Sequence, residues 1–114
     1  EEAARSYSEA IALDPDSWRA YYYRGTCYFK LRQFRWALED FERVILLRPH
    51  NASAYFARGA VLWLNGQCNG ALENFQAFMA LSDDEEALSR AQEYADYLKA
   101  TARCQPPTET PPLV

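Results

Sequence analysis

The sequence repeats itself at a spacing of 34 residues, and that period constrains the fold more than any other feature. One period forward from the stretch Trp18 to Asn51, Tyr21 falls on Tyr55, Arg24 on Arg58, Gly25 on Gly59, Ala37 on Ala71 and Phe41 on Phe75. One period back, Ala37 falls on Ala3, Phe41 on Tyr7, Val44 on Ala10 and Pro49 on Pro15. Self-similarity at a fixed period of this size is the signature of stacked helix pairs, each too small to bury its apolar face alone. A Gly inside a helix costs about 1 kcal/mol against Ala. Gly25 and Gly59, one period apart, therefore predict a place where another backbone crosses too closely for a side chain. Ala37 and Ala71 are the small partners on the second helix, Phe41 and Phe75 fill the space beside them, and Pro15 and Pro49 close each pair.

In register, these positions run Gly, aromatic, small, aromatic, small and Pro, and so resemble the tetratricopeptide repeat family. The resemblance covers about three quarters of the chain without a gap. It implies an all-α, antiparallel helix-pair solenoid that winds as a right-handed superhelix. By that pattern residues 18–51 and 52–85 are two full repeats, and residues 1–17 are the second helix of a truncated one, the chain being a piece of something longer.

Read in order, EEAARSYSEAIALDP places Ala3, Tyr7, Ala10 and Ile11 at helical spacing, with acidic Glu1 and Glu2 at the start and Pro15 as the stop. Tyr7, Ala10 and Ile11 are expected to pack on the helix that begins at Trp18, leaving Ala3 and Ala4 incompletely covered. Asp16 or Ser17 caps that helix, which runs to Leu31, and its partner spans Phe34 to Leu47. Asn51 caps the next helix, Asn65 and Gly66 turn the chain after Leu64, and Cys68 to Leu81 completes the pair. SDDE at 82–85 reads as a capping box for a last helix over residues 84–103. There Glu93 takes the Gly position and no partner helix follows, so this is read as a capping helix with Leu88, Ala91, Tyr94 or Ala95, and Leu98 on its apolar face. The remaining residues 104–114 contain four of the six prolines and read as a disordered tail.

Several function classes find no support. The net charge is −4 and the ten Arg and two Lys are scattered, which argues against a nucleic-acid footprint. No apolar run reaches the length of a membrane span. Cys27, Cys68 and Cys104 lie far apart with no CxxC, and the one histidine, His50, sits in a turn, so neither a metal site nor a thiol nucleophile is indicated. Such an odd, unclustered set suggests a reducing, cytoplasmic setting, with Cys27 structural. Glu39, Glu42 and Glu73 belong to solvated faces, and NGQCNG at 65–70 lacks the Lys and Ser/Thr of a phosphate cradle, so no enzyme and no cofactor is expected.

The resemblance also implies where a ligand would lie. In this family the first helix of each repeat lines a concave groove. The matching positions are Arg19, Tyr22, Tyr23, Thr26, Phe29 and Lys30 in one repeat, and Ser53, Phe56, Ala57, Ala60, Trp63 and Leu64 in the next. Five aromatics and two cations make that surface apolar for one facing water, as partner sites are; the alternative is that the last helix or the tail folds back over it. A subset of the family pairs the Arg at position 24 with an Asp sixteen residues on, here Asp40, whereas Arg58 meets Asn74. Members that hold chaperone C-terminal carboxylates use Asn and Lys or Arg where this chain has Tyr22, Tyr23, Thr26 and Ala57, so that clamp is absent from these repeats. The expected function is a scaffold binding an apolar peptide or helix in the groove. The alternatives are a regulatory or targeting segment of a larger enzyme, or self-association through the exposed half repeat.

Overall fold

A computed structural model describes residues 2–100. Glu1, Cys104, the end of the expected last helix and the Pro-rich tail lie outside them. Six α-helices make up the described chain: α1 (Glu2–Leu13), α2 (Trp18–Lys30), α3 (Phe34–Leu47), α4 (Ala52–Leu64), α5 (Cys68–Leu81) and α6 (Glu85–Ala100). Each packs on the one before it, and α2 also touches α4, so the first helices of successive pairs lie side by side. The result is an all-α helical repeat solenoid, 44 × 27 × 20 Å in extent.

Local chemistry sets the helix ends. Ser17 and Asn51 accept at their side-chain oxygens from the amides of Ala20 and Ala54 at 3.4 and 3.3 Å, which satisfies one orphan donor in each helix. The α5–α6 junction departs from the expected reciprocal box. Asp84 takes the cap, accepting from Glu86 and Ala87, and Ser82 accepts from the amide of Asp84. Two further bonds recur at the period: the Tyr21 and Tyr55 hydroxyls donate to the carbonyls of Pro15 and Pro49, each at 3.0 Å. A tyrosine inside each first helix thus pins the turn that leads into it.

The α2–α3 and α4–α5 turns also correspond. Arg32 and Gly66, 34 residues apart, both have positive φ, 60° and 84°. Arg32 meets that strain with an L side chain whose guanidinium lies 5.1 Å from the Phe34 ring. At Gly66 an added Cβ would touch nothing within 4 Å. Its glycine is a backbone requirement alone.

The other paired glycines answer to packing. A Cβ on Gly25 would stand 2.9 Å from the Phe41 ring and 3.1 Å from Asp40 Cβ, and one on Gly59 would stand 3.1 Å from the Phe75 ring and 3.3 Å from the Ala71 carbonyl. The crowding at Gly25 therefore comes from side chains rather than from a crossing backbone; only at Gly59 does backbone contribute. Ala37, Phe41, Ala71 and Phe75 have no exposed surface. On α1 the buried residue is Ala4, contrary to the expectation that it stays uncovered. Tyr7, on Tyr23, and Ile11, against the cluster of Tyr21, pack on α2 as expected, and Ser8 adds a polar contact to Arg24.

Cys68 is disulfide-bonded. Disulfides persist in oxidising surroundings, so the argument from idle thiols to a reducing compartment loses its basis. Cys27 is free and half-buried.

These two kinds of glycine should respond differently to alanine. We expect Gly66→Ala to cost about 1 kcal/mol through left-handed strain alone, with Gly66→Asn milder. Gly25→Ala should cost about 1–3 kcal/mol by overpacking against the fixed Phe41 ring, despite the better helix propensity of Ala. Urea midpoints measure both, and a Gly25→Ala chain more stable than the parent would contradict the packing assigned to it.

Candidate functional site

The residues expected to form one groove are divided by the structure into surface and core. On α2, Arg19 and Lys30 are exposed, Tyr22 and Thr26 are half-buried, and Tyr23 is 49% exposed. Phe29, at 7%, belongs instead to a core cluster with Ala37, Phe41, Ala57, Ala60 and Val61, and its ring meets Phe34 at 6.1 Å. Of the residues expected from α4 only Ser53 and Leu64 keep partial exposure, and Leu64 packs on that same cluster.

Phe56 and Trp63 are both 0% exposed, which removes them from any groove. The cause is α6, which lays Ala87, Ala91, Ala95 and Leu98 inward and takes the place another first helix would occupy. Its Tyr94 ring lies 6.1 Å from Phe56, 5.2 Å from Trp63 and 5.6 Å from Phe75, with Tyr97 at 5.8 Å from Trp63. Phe56 is also held edge-on by Phe75 and Phe78 at 5.2 and 5.1 Å. Such tilted and edge-to-face pairs each add about 0.5–1.5 kcal/mol beyond area burial. Ala57 and Ala60 are buried for a different reason, lying at the α2–α4 contact beneath Phe29 and Phe41.

What stays open lies around the N-terminal half of α2. Tyr23 stacks on Tyr7 of α1 at 5.6 Å and 30°, and meets Tyr22 edge-on at 6.0 Å. Tyr22 leans on Phe41 at 5.6 Å. Thr26 donates its hydroxyl to the Tyr22 carbonyl at 3.0 Å. Between these rings and the start of α4 is a cleft of about 160 Å³ lined by Trp18, Tyr22, Tyr23, Asn51 and Ser53. A larger cleft of about 350 Å³ lies on the other side of Trp18, against Arg48, Pro49, His50 and Asn51. Sequence reasoning set Tyr7 in the stripe packed on α2, gave Trp18 no role beyond beginning that helix, and missed their part here. The signal for Trp18 was its break with the period, since Ala52 stands at the equivalent position.

Behind this surface Arg24 ties three helices together. Its Nε and Nη2 donate to the two carboxylate oxygens of Asp40 at 2.8 and 2.7 Å, and its Nη1 donates to Ser8 Oγ at 3.0 Å. Ser8 in turn donates to the Ala4 carbonyl. The hydrogen bond from Arg24 to Asp40 holds the guanidinium protonated, above its ordinary value. Burial pushes the Asp40 carboxyl upward against the opposing pull of Arg24. With every polar group engaged, the fork is a structural tie rather than a ligand site. One period on, Arg58 Nε donates to Asn74 Oδ1 at 2.7 Å, and Asn74 donates to the Gly70 carbonyl. Among the described residues no group of three or more His, Cys, Asp and Glu is arranged to hold a metal ion, and no helix is long and apolar enough to cross a membrane.

A stack of antiparallel helix pairs, tied by an Arg sixteen residues before its acceptor and open around the first turns of α2, defines the class: a helical repeat module. Residues 18–51 match the model of the tetratricopeptide repeat family, and residues 1–32 match a further TPR repeat model. These matches, which lie within residues 1–51, support a protein built of tetratricopeptide repeats. A tetratricopeptide repeat and J domain-containing co-chaperone, DNJ1 of Cryptococcus neoformans var. grubii, is 48% identical over 42 residues, covering 37% of this chain and 8% of that protein. The crystal structure of the P58(IPK) TPR domain superposes with a TM-score of 0.76 at 25% identity, over 84% of this chain and 27% of that one. The first TPR of Spaghetti (RPAP3), bound to the HSP90 peptide SRMEEVD, superposes with a TM-score of 0.75 at 21% identity, over 85% and 78%, and shows the fold alone. The chain thus spans only a small part of the co-chaperone and of the P58(IPK) domain.

The half-buried Tyr22 phenol makes the open surface testable by pH. Burial, with a smaller contribution from Tyr23, pushes its pKa up to about 12. Above pH 10 the unfolded chain releases this proton and the folded chain keeps it, so stability falls as pH rises from 10 to 12. The loss should reach on the order of 2 kcal/mol. Tyr22→Phe should flatten that part of a pH series of urea melts; an unchanged slope would show that Tyr22 does not carry the effect.

Proposed function

We propose that the chain is a protein-interaction module, not an enzyme, that holds an extended peptide across the open part of the concave face. Arg19, Tyr22, Tyr23, Thr26 and Ser53 would form the contact, with Lys30 at its far edge. The observation that carries this reading is the half-exposed Tyr23, stacked between Tyr7 and Tyr22 beside a cleft reaching to Ser53 of the next pair. Rigid aromatic side chains next to a cleft are the usual energetic centre of a peptide site, since they bring large contact area at low entropic cost. The peptide carried by the RPAP3 repeat supports a peptide as the kind of ligand. Tyr22, Tyr23, Thr26 and the buried Ala57 stand where family members carry carboxylate-binding side chains, which favours a ligand other than a chaperone C-terminus. The burial of Phe56 and Trp63 shortens the surface from two repeats to little more than one. A short extended segment fits it better than a long amphipathic helix.

Selection of random peptides on the native chain, followed by titration of the winners against variants, tests this reading. Tyr23→Ala should weaken the selected peptides by about 2 kcal/mol, roughly thirtyfold. Trp36→Ala, an exposed ring on α3 outside both clefts, should leave them unchanged. Peptides indifferent to Tyr23 but lost with Trp36 would place the interaction on the opposite face and end the proposal.

A further inference from the structure

We propose that the larger cleft beside Trp18 is a second peptide-docking site, which takes an aromatic side chain flanked by acidic residues. It adjoins the smaller cleft, with which it shares Trp18 and Asn51, but does not depend on the reading given to that cleft. Its cavity of about 350 Å³ has room for one ring, and its apolar walls are the Trp18 indole and the Pro49 ring. The turn that forms it is held in place by the hydroxyl of Tyr55 on the Pro49 carbonyl at 3.0 Å. Recognition there requires little reordering of the turn.

The charge around this cleft opposes that of the molecule. The whole chain carries −4, yet Arg48 lines the cleft, and the Arg19 guanidinium sits 4.9 Å from the centre of the Trp18 ring. Among the described residues neither Arg19 nor Arg48 has a carboxylate within ion-pair distance. Among the described residues the Arg48 side chain hydrogen-bonds only to the neighbouring Leu47 carbonyl. Two guanidiniums flanking an aromatic wall favour a partner that brings carboxylates next to a ring.

Comparison of the three helix-pair junctions shows that this combination is not a by-product of the repeat. Residues 14–18 read Asp, Pro, Asp, Ser, Trp; residues 48–52 read Arg, Pro, His, Asn, Ala; residues 82–86 read Ser, Asp, Asp, Glu, Glu. The outer two turns are acidic and only the middle one is basic. The indole that faces this basic turn comes from Trp18, whose counterparts are Ala52 and Glu86. Stacking places a ring and a cationic turn together once among these three junctions.

The test is a nitrogen-edited NMR titration of the whole chain with blocked Glu-Glu-Phe-Glu-Glu, and with Gln-Gln-Phe-Gln-Gln and Glu-Glu-Gly-Glu-Glu as controls. The acidic Phe peptide should move the Trp18 indole signal and the amides of residues 48, 50 and 51. Both controls, and the Arg48→Glu chain, should bind roughly tenfold more weakly or worse. Arg48 is exposed and its exchange should not disturb folding, so this variant remains informative if Trp18→Ala unfolds. Tyr23→Ala should bind the acidic peptide as the parent does. No movement at residues 48, 50 and 51, or equal binding of the Gln peptide, would overturn the proposal. So would shifts confined to Tyr22, Tyr23 and Ser53, an outcome that favours the concave surface instead.

Discussion

The structure depends on one constraint: a helix pair of this period cannot cover its own aromatic face, and something must be laid over it. Phe41 is covered because α4 follows α3, bringing Ala57, Ala60 and Val61 against it. Phe56, Trp63 and Phe75 have no further repeat beyond them among the described residues, and α6 takes that place with Tyr94 wedged among the three rings. The same contact takes Phe56 and Trp63 out of the expected groove. Their burial stabilises the end of the stack and leaves an open surface around the first turns of α2.

The polar ties between helices show how one position can be filled in two chemistries. Arg24 and Arg58 each reach an acceptor sixteen residues later, yet one meets a carboxylate in a two-pronged fork and the other a single amide oxygen. A buried ion pair adds little net stability once desolvation is counted, and leaving one partner alone costs more than replacing both. The Arg24 fork therefore acts mainly to fix register, and its third bond to Ser8 extends that register into α1. Asn74 reaches the same end without a carboxylate, its amide nitrogen being taken up by the Gly70 carbonyl.

Most of the architecture was legible in the sequence, because helix boundaries and the period rest on local signals. Ser17 and Asn51 announce their helices, Pro15 and Pro49 their turns, and Gly66 its left-handed backbone. What stayed hidden depends on contacts across the stack. Nothing local distinguishes Tyr23, which faces outward, from Phe56, which α6 covers. Ala4 is buried because Ser8 and Arg24 orient α1, a relation spread over three helices. The cleft at Trp18 needs residues 18 and 48–51 brought together, and the bonding of Cys68 left no trace in the cysteine spacing.

The covering of the aromatic cluster by α6 can be measured through a single indole. The chain has three tryptophans, and replacing Trp18 and Trp36 with Phe leaves Trp63 as the only indole, to be excited beyond the tyrosine absorption. With Trp63 wholly enclosed, its fluorescence should be that of an apolar site, at short wavelength and barely quenched by iodide. Emission typical of water-exposed indole, quenched as readily as free tryptophan, would show that α6 does not seal the stack and that the groove runs on over α4.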